Sequence, residues 1–215
     1  MNTELYSNLR GGTADRAPKS ESAMKDRHNI AVLVSNAKTG ERTSLEKLAT
    51  VYHHMVFGLI YHRIADQMDA EDLTQEVFEE MTRSIKNLRD PFSFKTWLCR
   101  IALNRVTDFH RRKKRTSFWA EPEAEGPIET REDAKSPLDQ VQQKEFWRQL
   151  HGLVQEMPKK EREAFLLRYV DQLRIREIGE TLRISESAVK THLSRALKKL
   201  KTTPIFRALA SERTS

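Results

Sequence analysis

From Leu73 to Leu88 an apolar side chain returns every third or fourth residue: Leu73, Val77, Met81, Ile85 and Leu88. Only a helix gathers such a series on one face. The same period runs through Ile30, Leu33, Val34 and Ala37, starting from His28, with Gly40 as a natural C-terminal cap. It runs again through Leu45, Leu48, Tyr52, Val56, Leu59 and Tyr61–Ile64, opened by a capping box at Thr43-Ser-Leu-Glu46. Between about Thr116 and Pro137 the period lapses, and a segment rich in Glu and Pro reads as an extended linker. Helical patterns resume at 138–155, 159–170, 174–182 and 185–201. With Gly and Pro at only seven each, this predicts an all-α chain. It is expected to form two small helical domains joined by a flexible linker, the second containing a helix-turn-helix. The domains span 28–115 and 138–202, the linker 116–137, a disordered N-terminal extension 1–27 and a weakly patterned tail 203–215.

In the first domain Asp69 is expected to cap the helix that carries Leu73, and Asp90-Pro91 to break it. The loop Pro91-Phe-Ser-Phe94 follows, with Ser93 as an N-cap. A further helix from about Phe94 to Arg112 buries Trp97, Leu98, Ile101 and Phe109, and ends in the run RRKKR, Arg111 to Arg115.

Several function classes lose support early. One cysteine, Cys99, rules out an intramolecular disulfide and points to a reducing compartment. The N-terminus has no apolar signal region, and no apolar run approaches a membrane span. His53 and His54 are adjacent, not spaced to put two ligands on one helical face, and no Gly-rich phosphate loop exists. The expectation is a soluble cytoplasmic protein with no metal, no cofactor and no catalytic residue. Its net charge of +7 suits a polyanion. That charge is uneven: residues 43–115 hold 13 Lys and Arg against 10 Asp and Glu, residues 141–201 hold 14 against 8, and residues 116–140 hold 2 against 7.

The sharpest local signal is REIGETLRISESAVKTHLSRALKKL. A short helix, Arg174 to Leu182, meets a tight turn at Arg183-Ile184, and a second helix starts behind the N-cap Ser185. Ile184 and Val189 make a hydrophobic staple, and Val189, Leu193, Ala196, Leu197 and Leu200 form the buried stripe. The opposite face carries Ser187, Lys190, Thr191, Ser194, Arg195 and Lys198, residue types suited to base edges and phosphates of a major groove.

DAEDLTQEVF, Asp69 to Phe78, is a compact acidic stretch in a basic protein. It reads either as a carboxylate cluster for metal or acid–base chemistry, or as a docking surface for a basic partner. Leu73 and Val77 belong to the core stripe, which leaves Asp72, Gln75, Glu76 and Glu79 on outward faces.

DAEDLTQEVF, then FKTWLCRIALNRVTDFHRRKKR, then the helix-turn-helix occur in one order over residues 28–201. This ordered set closely resembles the extracytoplasmic-function (ECF) group of bacterial sigma factors, in the sigma-70 family. The resemblance implies region 2 over about 28–115 and region 4 over about 138–202. It implies binding to core RNA polymerase, through the β′ coiled coil and the β flap, and promoter DNA recognition at the −10 and −35 elements. It assigns core binding to Asp72, Gln75, Glu76 and Glu79. It assigns −10 binding and melting to Phe92, Phe94, Arg100, Asn104, Arg105, Arg111 and Arg112. The −35 element falls to Ser187, Lys190, Thr191, Ser194, Arg195 and Lys198. Family habit adds an anti-sigma factor. The acidic linker fits either a nucleic-acid mimic in the polymerase cleft or a plain solubilising tether. A stand-alone helix-turn-helix regulator is the alternative, and a metal-dependent nuclease using the acidic cluster a third reading.

Overall fold

A computed structural model describes residues 21–116 and 151–201 of the chain. The expectations for residues 1–20, the linker beyond 116, the start of the 138–155 helix and the tail lie outside the described residues. Among those described, helices and short turns alternate and no strand occurs. They fall into two units.

The first unit contains α1 (Glu21–Lys38), α2 (Arg42–Ile64), α3 (Gln67–Ser84) and α4 (Phe94–Thr116). Two 3₁₀ turns, Ile85–Asn87 and Pro91–Ser93, connect α3 to α4. α1 begins seven residues before His28, so helix covers the end of the stretch read as disordered. The residues from Met24 to Asn29 are exposed, and they carry no apolar period because they bury nothing. Their helicity therefore left no mark in a search for buried faces. Gly40 closes α1 at φ 95°, a left-handed position that glycine adopts without strain, and its N–H donates to Ala37 O.

Three expected caps move. α2 begins at Arg42 and not behind Thr43, and the capping box does not form. The carboxylate of Glu41 instead accepts from the hydroxyls of Ser44 and Thr43, at 2.6 and 3.0 Å. α3 is capped by Asp66, whose carboxylate accepts from the Asp69 N–H at 2.8 Å, so Asp69 lies inside the first turn. The reason is upstream: α2 ends in a left-handed Ala65, and the extended residue after it is the one placed to cap. Asp90, not Ser93, caps the turn before α4, which also runs on to Thr116.

The core is most of the predicted stripes brought together, while Ile30, Leu33, Leu45, Tyr52, Trp97 and Phe109 are only half-buried at its edge. Val34, Leu48, Val56, Leu59, Leu73, Val77, Met81, Ile85, Leu98 and Cys99 are all buried. Each such aliphatic side chain contributes about 1.5–3 kcal/mol relative to exposure.

The second unit starts with helical residues 151–155, followed by α5 (Lys159–Phe165), which continues as a π turn over Leu166–Val170. α6 (Ile175–Leu182) and α7 (Glu186–Lys201) complete it. Val154, Phe165, Leu167, Leu173, Ile178, Val189, Ala196 and Leu200 are buried. Lys199 donates to Glu161 at 2.8 Å, joining the end of α7 to α5.

Candidate nucleic-acid interface

The α6–α7 pair is a tight corner for a steric reason. Arg183 ends α6 in the left-handed region at φ 55°, and the Ile184 N–H donates back to Gly179 O at 3.0 Å. That closure brings Ile184 O to within 2.9 Å of where a Cβ on Gly179 would lie. Only glycine leaves room for it. Ser185 then caps α7 as expected, accepting from the Ala188 N–H at 3.2 Å. At the first turn of α6 the Glu177 carboxylate accepts from the Arg174 N–H at 2.8 Å.

With Val189, Leu193, Ala196 and Leu200 turned inward, the other face of α7 is presented whole. Ser187, Lys190, Thr191, Ser194, Arg195 and Lys198 are all exposed. The Thr191 hydroxyl donates to Ser187 O at 3.0 Å, which leaves its oxygen as an acceptor. A helix whose first turns carry two hydroxyls and a lysine, followed by Arg195 and Lys198, supplies base-edge and phosphate groups in that order.

In the first unit the acidic stretch divides into two rows. Asp72, Gln75 and Glu79 are exposed. Glu79 pairs with Arg83 along the same helix at 3.2 Å and accepts from Gln75. Glu76 lies in the seam between α3 and α4, 3.7 Å from Arg105 and 3.9 Å from Arg112. Glu80, which the sequence reading passed over, pairs with Arg105 at 3.3 Å. The burial of Asp69, with Asp66 and Asp72 beside it, pushes its carboxyl above the usual range, while Lys113 pulls the other way. Two arginines of α4, Arg105 and Arg112, are thus met by glutamates of α3. Arg105 and Arg112, expected on phosphate, are engaged in this seam. Arg111 pairs with Asp108 at 3.1 Å. Glu80 gave no local signal because its partner is 25 residues away.

The two aromatic candidates separate. Phe92 is 55% exposed on the turn before α4. Phe94 is 1% exposed, edge-on to Tyr52 with ring centroids 5.2 Å apart and tilted against Trp97 at 5.8 Å. Burial removes Phe94 from direct contact with a ligand and makes it an anchor. Asn104 is exposed on α4, and Arg100 is half-buried.

Among the described residues no His, Cys, Asp and Glu group is placed to hold a metal ion. No helix there is long and apolar enough to cross a membrane.

Residues 48–116 match sigma-70 region 2, and residues 147–200 match sigma-70 region 4. The chain is 30% identical to the ECF RNA polymerase sigma factor BldN of Streptomyces coelicolor, over 86% of this chain and 68% of that protein. It is 28% identical to the ECF RNA polymerase sigma factor SigW of Bacillus subtilis, over 78% of this chain and 92% of that one. Among solved structures it resembles CnrH in complex with the cytosolic domain of CnrY, with a TM-score of 0.60 and 19% identity, covering 80% and 94% of the two chains. It also resembles the sigma factor RpoE bound to the anti-sigma factor NepR from Bartonella quintana, with a TM-score of 0.57 and 15% identity, covering 73% and 93%. At these identities the structural likeness concerns the fold.

Proposed function

The chain belongs to the ECF RNA polymerase sigma factors of the sigma-70 family, and on that premise we propose how its residues divide the work of initiation. It is an alternative sigma factor that directs promoter-specific transcription initiation with core RNA polymerase. A region 2 match over 48–116 is what a stand-alone helix-turn-helix regulator lacks.

The second unit reads the −35 element as duplex. Ser187, Lys190 and Thr191 stand at the start of α7, where this motif meets base edges. Arg195 and Lys198 hold phosphate or, for Arg195, a guanine edge. The Thr191 acceptor suits an exocyclic amino group. The same unit meets the β flap of the polymerase.

The first unit docks and melts. Asp72, Gln75 and Glu79 form the outward row that meets the basic β′ coiled coil, and Glu76 adds its charge from the seam. Charge complementarity of this kind sets encounter rate and partner choice. Phe92 stacks on, or wedges beside, a base drawn from the −10 stack, and Asn104 both donates and accepts at that base's edge. Arg100 and Arg111 line the phosphate path, and Arg105 and Arg112 join it only as far as the seam releases them. Binding, orientation and capture are the whole of this work, so the chain carries no catalytic residue, cofactor or metal of its own and acts where the polymerase does, in the cytoplasm. We place residues 28–115 in region 2, 116–137 in the linker and 138–202 in region 4. Because CnrH and RpoE were solved with protein partners, an anti-sigma factor covering both units is part of this reading.

The observation that carries it is the joint presence of an exposed polar α7 face behind the Gly179 corner and an acidic row on α3 outside the α4 seam. The test is transcription in vitro with core polymerase over a library of genomic promoter fragments. A defined −10/−35 pair should emerge, with no duplex binding at physiological salt by the chain alone. Tight, specific duplex binding without core would favour a regulator.

A further inference from the structure

We propose that Asp90 is the positioning residue that presents Phe92 to the melted −10 base, through the turn it caps between α3 and α4. This rests on the reading of Phe92 as the capturing aromatic.

The turn is braced by bonds on both sides of Phe92. One Asp90 carboxylate oxygen accepts from the Phe92 N–H at 3.0 Å, and the other accepts from the Ser93 hydroxyl at 2.7 Å. The Asp90 carbonyl accepts from the Ser93 N–H at 3.0 Å. On the far side the Thr96 hydroxyl donates to Ser93 O at 3.0 Å. Pro91 fixes its own backbone angle at the first position of the turn. Phe94 then locks the exit, with its ring buried against Tyr52 and Trp97. Each neighbour of Phe92 is tied, and Phe92 itself is left more than half in water.

An apolar ring held in solvent by a rigid frame is pre-organised for a partner with a flat apolar face. A base drawn out of the helix has such a face. The cost of unstacking a base and the gain from stacking it on an aromatic ring are of the same order. The cost of ordering the turn that carries the receiving side chain then decides whether capture outruns rewinding. Asp90 meets that cost during folding, before DNA arrives. It touches no base in this reading and acts only through Phe92.

The experiment uses holoenzyme made from the full chain and core polymerase. The probe is a duplex promoter selected by run-off transcription with the wild-type factor, carrying 2-aminopurine in the −10 non-template strand. Asp90→Ala should slow the fluorescence rise about 3- to 10-fold, the scale of a lost cap. Core affinity and closed-complex retention should stay at wild-type values, which a merely structural defect would move. Asp90→Asn keeps an oxygen for the Phe92 N–H and offers an N–H to the Ser93 oxygen, so it should restore most of the rate. Ser93→Ala removes one of the two side-chain bonds and should fall between, and it serves even if Asp90→Ala folds poorly. Wild-type rates in both Asp90→Ala and Ser93→Ala, beside a slow Phe92→Ala, would overturn the role of Asp90. So would Asp90→Asn as slow as Asp90→Ala, since charge rather than turn geometry would then be at work. A wild-type rate in Phe92→Ala would instead remove the base-capture reading, and this role with it.

Discussion

At Gly179 a Cβ would stand 2.9 Å from a backbone oxygen, and a backbone cannot swing aside as a flexible side chain does. Gly179→Ala should therefore destabilise the α6–α7 corner by about 1–3 kcal/mol, the scale of overpacking, despite the better helix propensity of alanine. Hydrogen exchange should quicken in α6 and α7 and stay unchanged in α1–α4. Glu41 provides a second check. Its carboxyl is held below the usual range first by the Ser44 hydroxyl and then by that of Thr43. A lowered folded value means that the stabilisation is present above the ordinary glutamate value and is lost as pH falls through the folded one. The advantage of wild type over Glu41→Gln in thermal midpoint should hold at neutral pH and close on that acid side. Residue-level caps were the least legible part of the sequence. Asp66 and Asp69 are equally good capping residues three apart, and the choice between them depends on where α2 ends, which Ala65 settles by turning left-handed. Ser185 was legible because the Ile184–Val189 staple around it and the apolar stripe after it agree.

At the scale of elements, the helices and their buried faces were readable because periodicity is a local property. Leu73, Val77, Met81 and Ile85 face inward as their spacing demands. The α3–α4 seam was not readable, since Glu80 and Arg105 meet only once two helices lie side by side. An outward-facing pattern alone gave Glu76 and Asp72 the same role. The seam separates them. Asp72→Lys should weaken core association and leave thermal unfolding of the first unit unchanged. Glu76→Lys should weaken association and also loosen α3 from α4, because it sets a cation against Arg105 and Arg112. The stability part should be modest, about 0.2–1 kcal/mol per lost pair, since these side chains are partly solvated. Binding of each variant to core, beside its thermal midpoint, checks both. Equal thermal midpoints for the two variants would remove the distinction.

On the scale of the whole molecule, the proposed function has one unit hold duplex and the other handle a base out of the stack, so the two activities should fail separately. Alanine at Phe92 or Asn104 should leave closed-complex binding nearly intact and lower the permanganate reactivity of promoter thymines. A template with a pre-melted −10 bubble should restore the Phe92 variant more than the Asn104 variant. The bubble supplies the unstacking, roughly a few kcal/mol, but not the lost hydrogen bonds. Normal reactivity on duplex DNA in both would take α4 and its turn out of melting. The order of the two functional units was legible from the motifs, while Phe94 was misplaced, because an aromatic at the start of a helix reads equally as anchor or contact: the resemblance put it on the −10 DNA, and its ring is buried. The seam has a last consequence, for a chain with net charge +7. A genome offers on the order of a million or more decoy sites, all of them polyanionic, to any protein with a bare row of arginines. By holding Arg105 and Arg112 against its own glutamates, the first unit lowers its pull toward those decoys. More of the factor then stays in the pool that core polymerase draws from.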